Sequence, residues 1–257
     1  MQRSGNGSNP MRERFREQVR EDVKDAALRQ LALGGASAVS VNAIARELGV
    51  SGPALYRYFS SRDELLAELI LDAYNDFADS LAAATDRELG LSPQDRLRAL
   101  TRAWRSFALA EPHRYRLLFA PPVPGYDAHA ESLVRASSRA MAVGLDVYKT
   151  LATTENAPSY RSTEPSESPT RRVPASLPQT DLSTVSGFSE EVLTATGAGP
   201  EELLCTISVW IRVHGFVSLE IGGNFSSMGI DADALFDHEV DALLSDHGPV
   251  STHPDRE

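Results

Sequence analysis

The segment from residue 40 to 66, SVNAIARELGVSGPALYRYFSSRDELL, constrains the fold of this 257-residue chain more than any other part of it. Ser40 is suited to cap a helix over 41–48, because its side-chain oxygen can accept from free N–H groups of the first turn. Gly49 is expected to end that helix, since glycine adopts positive φ without a steric cost. Two helices joined by such a tight turn form a helix-turn-helix, so DNA recognition is the first function to consider.

A second helix is expected over 52–59. Ser51 is a good N-cap for it, and Pro53 falls in the first turn, where the missing N–H of proline costs nothing. Ser61 then opens a third helix with Glu64 three residues later, which is the spacing of a capping box.

The side chains of the second helix divide into two groups. Leu55 and Phe59 are expected to be buried. Tyr56, Arg57 and Tyr58 supply two hydroxyls and one charge, which suit phosphate oxygens or base edges. This division favours a helix that packs on one side and reads DNA on the other.

These residues and their spacing resemble the DNA-binding domain of the tetracycline-repressor (TetR) family of bacterial regulators. The resemblance covers roughly residues 12–70 of the chain. It implies that the 41–48 helix is the support and that the 52–59 helix reads DNA. The matching positions are Ser40, Ile44, Ala45, Gly49, Val50, Ser51, Leu55, Tyr56, Tyr58, Phe59 and Leu65.

The resemblance also implies which residues contact DNA. Those residues are Ser40, Asn42, Ser51, Gly52, Pro53, Ala54, Tyr56, Tyr58 and Arg62. We add Arg57 because of its charge. Arg62 stands where the family usually has Lys, and although Arg is a planar fork and Lys a point charge, both neutralise phosphate. We therefore expect the contact to survive this difference.

The net charge of −11 is unevenly distributed. Residues 1–61 contain nine Arg and Lys against six Asp and Glu, a net +3, and the remainder contains sixteen against thirty, a net −14. An acidic remainder disfavours nonspecific coating of DNA and leaves the basic end to meet phosphates. A net charge of +3 is small, so this charge distribution supports the DNA-binding interpretation but does not establish it.

A helix over 11–33 is expected upstream of the motif, because Phe15, Val19 and later apolar residues recur at three-to-four spacing. Four arginines lie at its beginning, and two interpretations remain open for them. They form either an electrostatic arm along the DNA backbone or an ordinary exposed helix surface. The four are Arg12, Arg14, Arg16 and Arg20.

The whole pattern predicts an all-α fold. We expect an N-terminal three-helix DNA-binding domain over 1–61 and a larger helical domain for effector binding and dimerisation over 62–247. A long helix that begins after Ser61 would link the two. Further helices are expected over 92–111, 112–119, 128–153, 200–224 and 231–246.

Two segments are expected to lack fixed structure. Residues 154–184 contain five prolines and many Ser and Thr with little to bury, so they suit a flexible insertion. The insertion is interpreted as a linker, and the alternative is a phosphorylated or partner-binding segment. Residues 248–257 are expected to form a disordered tail.

Several features that other classes of protein have are not expected in this chain. The chain has no run of about 18 or more apolar residues, so no membrane-spanning helix is expected. The N-terminus lacks the apolar core of an export signal, and we expect a cytoplasmic protein. Cys205 is the only cysteine, which excludes an intramolecular disulfide. Nothing in the sequence indicates a metal or another cofactor.

The last two expected helices suggest self-association. The 200–224 helix is apolar on nearly every side and must be buried on two faces. A symmetric copy is the economical partner for the second face. Trp210, His214 and Gly215 also resemble a Trp-His-Gly signature of one TetR C-terminal subclass. Family resemblance then implies a homodimer whose 200–224 and 231–246 helices pair with their twins as a four-helix bundle.

An effector pocket is a separate hypothesis. Its candidate lining residues suit a protein core equally well, and His214 has three open roles: contact with an inducer, titration near neutral pH, or a bond to a buried carbonyl. The candidates are Trp104, Phe107, Tyr115, Phe119, Met141, Leu145, Trp210 and His214.

These features are compatible with three classes of function. The first is a homodimeric DNA-binding repressor released by a small, largely apolar effector. The second is a DNA-binding dimer without a ligand. The third is a helical enzyme, which the sequence disfavours because no catalytic triad, phosphate loop, carboxylate pair or metal-ligand cluster is evident.

Overall fold

The structure is a computed structural model that describes residues 10–87, 92–119, 131–153 and 196–247, with single positions 90, 192 and 194. Every regular element within these ranges is helical, which confirms the expected all-α class. In chain order the elements are α1 (Pro10–Gly34), a 3-10 helix (Ala36–Ala38), α2 (Val41–Glu47), α3 (Gly52–Leu55), α4 (Arg62–Arg87), α5 (Pro93–Ala110), α6 (Pro112–Phe119), α7 (Glu131–Thr153), α8 (Pro200–Ile221), α9 (Asn224–Ser227) and α10 (Ala232–His247).

The second helix of the motif is shorter than expected. Regular α-helix ends at Leu55, and the N–H groups of Arg57 and Tyr58 donate to the carbonyls of Ala54 and Leu55, three residues back. This tighter turn carries the chain to residue 59, so the predicted range is covered by one helical turn followed by a 3-10-like continuation.

The described residues fall into two compact units. One unit takes its residues from Met1–Tyr74 and Glu111–Leu133, and the other from Asn75–Ala110 and Val134–Glu257. The helix α4 is continuous and contributes to both. The expected domain boundary between residues 61 and 62 remains a prediction.

The core of the first unit joins α1, α2, α3, α4 and α6. Tyr74 donates its hydroxyl to the carbonyl of Leu118 over 2.9 Å, which ties α4 to α6. The apolar face of α1 that was expected to start at Phe15 starts later, since Phe15 is 67% exposed. The buried set includes Val23, Ala27, Leu31, Ile44, Leu55, Phe59, Leu65, Leu69, Leu117 and Leu133.

In the second unit, α5 and α10 are joined by charges. Arg98 donates to Asp241 over 2.7 Å, and Arg102 donates to Asp237 over 3.2 Å. The third and most buried arginine is Arg105, which bonds Glu220 of α8 and Asp233 of α10. Those carboxylates raise the pKa of Arg105, chiefly through the hydrogen bonds to Glu220, so its charge is fixed. Arginines of α5 therefore pair with several of the acidic residues that give the later part of the chain its negative charge.

The helices α7 and α8 approach closely at a glycine. A Cβ on Gly144 would lie 3.1 Å from Cγ2 of Thr206, tighter than most Cβ contacts. The next residue, Leu145, is fully buried in a cluster with Leu203. Small and apolar side chains thus set the distance between these two helices.

The predicted insertion over 154–184 and the predicted tail over 248–257 lie outside the described residues. Among the helices that are described, none has the length and hydropathy that a bilayer crossing would need.

Candidate nucleic-acid interface

The support helix α2 begins as the sequence predicts. Ser40 is its N-cap, and the hydroxyl accepts a hydrogen bond from the N–H of Ala43 over 3.4 Å. The N–H of Ser40 itself donates to Gln30 of α1 over 2.8 Å. Buried Val41, Ile44 and Ala45 then fix the inner face of α2 on the core. The start of α2 is therefore positioned from both sides while its outer residues stay exposed.

Two glycines shape the turn between α2 and α3. Gly49 has a φ of +67°, a conformation that L side chains rarely adopt. At Gly52 a Cβ would lie 3.2 Å from Oδ1 of Asn42, so a small residue there allows α3 to approach the first turn of α2. The turn thus brings Asn42 and Gly52, both predicted DNA contacts, next to each other.

The predicted contact residues share one region of the first unit. Most are on the first turns of α2 and α3 or in the turn that follows α3, and they are largely open to solvent. The exposed positions are Ser40, Asn42, Ser51, Pro53, Tyr56 and Arg57, and the half-buried positions are Gly52, Ala54, Tyr58 and Arg62. The structure therefore brings the predicted set together on α2, α3 and the start of α4, and DNA contact by each residue remains a prediction.

The aromatic residues after α3 have different surroundings. Leu55 and Phe59 are 1% and 0% exposed, as the sequence predicts. Tyr56 is 46% exposed, whereas Tyr58 packs against the core of the first unit. Tyr56 is therefore more accessible to a ligand than Tyr58.

Arg62 is engaged inside the domain. Its guanidinium donates from Nε to the carbonyl oxygen of Val39 over 3.0 Å and from a terminal nitrogen to the carbonyl oxygen of Ala36. These bonds connect the first residue of α4 with the segment just before α2. Sequence reasoning did not reveal this role, because the partners are carbonyl groups 23 and 26 residues away.

Arg20 is also engaged. It donates to the carbonyl of Tyr58 over 2.5 Å, pairs with Glu68 of α4, and lies over the ring of Phe59 at 4.4 Å from its centroid. Of the four N-terminal arginines, this one therefore connects α1 to the end of the reading segment.

The beginning of α4 is capped on both sides. The N–H of Glu64 donates to the hydroxyl of Ser61 over 3.0 Å, as the predicted capping box requires. The carboxylate of Glu64 reaches back to Ser60, accepting from its N–H over 2.6 Å and from its hydroxyl. The hydroxyl bond of Ser60 is the main cause that lowers the pKa of Glu64. The chain between α3 and α4 is thereby fixed.

The candidate effector residues do not all share one unit. Tyr115 and Phe119 are ring neighbours on α6 in the first unit, 5.0 Å apart between centroids. In the second unit, the rings of Trp104 and Phe107 lie 5.0 and 5.2 Å from that of Phe77. The other four are on α7 and α8 of that unit: Met141, Leu145, Trp210 and His214.

His214 is the polar member of this set. Its ring centroid lies 6.2 Å from that of Trp210, and its Nε2 is 3.4 Å from the hydroxyl of Ser218. Burial lowers the pKa of His214, which favours a neutral ring at neutral pH. Its three roles, contact with an inducer, titration or a structural bond, remain open as predictions.

Within the described ranges, no group of three or more His, Cys, Asp and Glu side chains is arranged to bind a metal ion. The helices α2 and α3, joined by a tight turn at Gly49, form a helix-turn-helix, the arrangement that defines a class of DNA-binding proteins.

Comparisons with known proteins extend this result to the whole chain. The family model described as bacterial regulatory proteins, tetR family, matches residues 24–69, and the model described as tetracyclin repressor-like, C-terminal domain, matches residues 97–243. The second match includes the Trp210, His214 and Gly215 positions.

Individual relatives and solved structures are also similar to this chain over most of its length. The HTH-type transcriptional regulator Rv1816 of Mycobacterium tuberculosis is 32% identical over 240 residues, which cover 90% of this chain and 92% of the relative. The crystal structure of the regulatory protein SCO4313 aligns with a TM-score of 0.66 at 38% identity and covers 91% of this chain and 98% of that one. A tetR-family regulatory protein from Rhodococcus RHA1 shares the fold at a TM-score of 0.58 and 14% identity, with coverage of 90% and 98%.

The chain therefore belongs to the TetR family of DNA-binding transcriptional regulators. This family consists of regulators and not of enzymes, which removes the helical-enzyme hypothesis.

Proposed function

We propose that this protein is a homodimeric repressor that acts in the bacterial cytoplasm and leaves its operator when a small, largely apolar effector binds. The observation that carries the DNA-reading part is the exposed surface of α2 and α3, with Tyr56 and Arg57 outside and Leu55 and Phe59 fully inside. Such a surface presents hydroxyls, an amide and a cation to a major groove while its core stays fixed.

Dimerisation is supported by one face of α8. Val209, Val213 and Val217 point into the second unit, whereas Ile211 is 61% and Leu219 47% exposed. Gly215 lies between these two at helical spacing and leaves open space around its α-carbon. A stripe of large apolar residues separated by a glycine suits a second copy of the same helix. Residues 200–224 and 231–246 are the proposed dimer helices.

Two copies would present two reading surfaces. In helix-turn-helix dimers, such surfaces enter successive major grooves about 34–36 Å apart, so the operator should be an inverted repeat. The helix α4 belongs to both units as one continuous helix of 26 residues. A displacement of its second half is therefore carried along the helix, which gives an effector a physical route to change the spacing of the reading surfaces.

The effector hypothesis is supported by a partly buried polar pair, His214 and Ser218, on a helix that is otherwise mostly apolar. Small-molecule sites commonly combine apolar walls with a few such polar groups. The competing hypothesis is a DNA-binding dimer without a ligand. Thermal melting of the full chain with a panel of apolar compounds separates the two, because a true effector must both raise Tm and weaken DNA binding.

The proposed DNA-reading function is tested by selection of genomic fragments from the source organism on the purified full chain. We expect a few fragments to be enriched and to share an inverted repeat. Recovery of all fragments at their input frequency would contradict the proposal. Neighbouring genes of the enriched fragments then indicate the chemistry of the effector.

A further inference from the structure

Basic residues recur every four positions along the first half of α1. Arg12, Arg16, Arg20 and Lys24 form what we name the basic row. At about 100° per residue, each step of four turns the position by about 40°, so the first three members fall within an arc of about 80°. Val23 and Ala26 of the core are on this same side of α1. The basic row therefore continues the face of α1 that packs against the other helices of the first unit.

The second half of the basic row is already paired. Arg20 pairs with Glu68 and Lys24 with Asp72, so both pairs join residues of α1 and α4 that are 48 positions apart. Burial opposes the charge of Lys24, but its bonds to Glu21 and Asp72 raise its pKa overall. These two cations serve the fold and are not available to a ligand.

The first half of the basic row continues beyond these pairs. In the same register, Arg16 would face position 64, but the Glu64 carboxylate is bound to Ser60. For Arg12 the register would reach position 60, a serine that lies before the start of α4 at Arg62. Both arginines are exposed, and no ion pair joins either of them to another described residue, including Glu13 and Glu17 on their own helix. Arginines four residues apart on a helix repel one another.

The position of these arginines points to a ligand. Arg20 touches the carbonyl of Tyr58 at the end of the reading segment. Arg16 and Arg12 follow at about 6 and 12 Å along α1 from that contact, at the rise of an α-helix. Arg16 is thus one helical turn away from a residue that touches the segment following α3. The anion that α3 is proposed to approach is the phosphate backbone of DNA.

We propose that Arg12 and Arg16 bind phosphate groups beside the segment read by α3, so that α1 extends the DNA interface. This inference rests on the proposed DNA-reading function and adds to it a sequence-independent contact. Because phosphate contacts release counterions, each arginine contributes to the salt dependence of binding rather than to the choice of bases. Arg14, on the opposite side of α1 by helical geometry, makes no such contact.

The test uses the full chain and a duplex that it selects. The slope of log K against log salt concentration is measured for the wild type, for R12A/R16A, and for R14A, a control that removes one arginine from the other side of the same helix. We expect the double variant to reduce the magnitude of this negative slope by about two units for each bound chain. R14A should keep the wild-type slope, and R12K/R16K should restore it, because only the charge is needed.

Two results are distinguishable from each other. Equal slopes for R12A/R16A and R14A, with wild-type binding intact, would overturn the inference alone. Failure of the wild type to prefer any duplex would overturn the proposed function instead. R12Q/R16Q, which keeps longer polar side chains, must give the same loss as the alanine pair. Tm should not fall in either double variant, because neither arginine supports the fold.

Discussion

Arg62 Nε donates to the carbonyl oxygen of Val39 over 3.0 Å, and this bond joins the first residue of α4 to the segment that leads into α2. A second bond from the same guanidinium reaches Ala36. A fork that spans two carbonyls is specific to arginine, since a lysine ammonium is a point charge on a flexible chain. The arginine at this position thus has a structural use besides any phosphate contact.

We expect R62K to lower the free energy of unfolding by about 1–2 kcal/mol, because hydrogen bonds from charged groups are lost or lengthened. The salt slope of DNA binding should stay unchanged, since the charge remains. Chemical denaturation and binding titrations measure the two quantities. R57A is the control for stability alone, because the Arg57 side chain is exposed and makes no hydrogen bond or ion pair with described residues. A stable R62K with altered DNA binding would contradict this account.

Tyr56 and Tyr58 should respond differently to truncation. Y56A removes a half-exposed ring and should weaken operator binding about tenfold, as expected for loss of a specific contact, with little change in Tm. Y58A also removes packing against the core and should cost about 2 kcal/mol of stability. Electrophoretic mobility shift and thermal melting separate these effects. Equal loss of Tm in both variants would show that Tyr56 is a core residue.

Charge on the exposed stripe of α8 should abolish dimerisation. I211E or L219E would place a carboxylate in an apolar interface, where an unpaired charge is strongly unfavourable. Sedimentation equilibrium should then give a mass near 27.9 kDa, and the wild type should give twice that value. L109E, an equally drastic change at a 45% exposed leucine on α5, should remain dimeric. A dimeric I211E/L219E would place the interface elsewhere.

The cap at Glu64 predicts a pH dependence. The pKa of Glu64 is lowered in the folded protein, so the ionised carboxylate stabilises the fold above its ordinary pKa of 4.5. This contribution is lost as the pH falls through the lowered folded-state pKa. E64Q should therefore lower Tm at pH 7, and the difference from wild type should shrink below about pH 4. E17Q, at an exposed carboxylate on α1, is the control, and a Tm difference in E64Q that does not depend on pH would contradict this assignment.

Local sequence signals predict the starts of α2 and α5 and the turn after α2, but not the early end of α3. Ser92 caps α5 as expected, since its hydroxyl accepts from the N–H of Asp95 over 3.1 Å. The α2 cap at Ser40 and the turn at Gly49 were also predicted correctly. Capping and glycine turns depend on residues within about four positions, so the sequence contains the whole interaction.

Contacts between distant residues were not predictable in this way. The bonds of Arg62, the pairs of Arg20 and Lys24 with α4, and the pairing of Arg98 and Arg102 with α10 join residues 23 to 143 positions apart. Helical periodicity gives the face of a residue but not the element that packs against it. For this reason the four N-terminal arginines were indistinguishable in the sequence, whereas the fold separates Arg20 from Arg12 and Arg16.

The central claim is that the α2–α3 surface reads a DNA sequence. The most direct test is the Kd of the full chain for a selected duplex and for a scrambled duplex of equal length and composition, at about 0.15 M salt. Specific binders typically prefer their site by at least about 10³-fold, and we expect a ratio of this order that falls sharply in Y56A. Equal affinity for the two duplexes would contradict the claim.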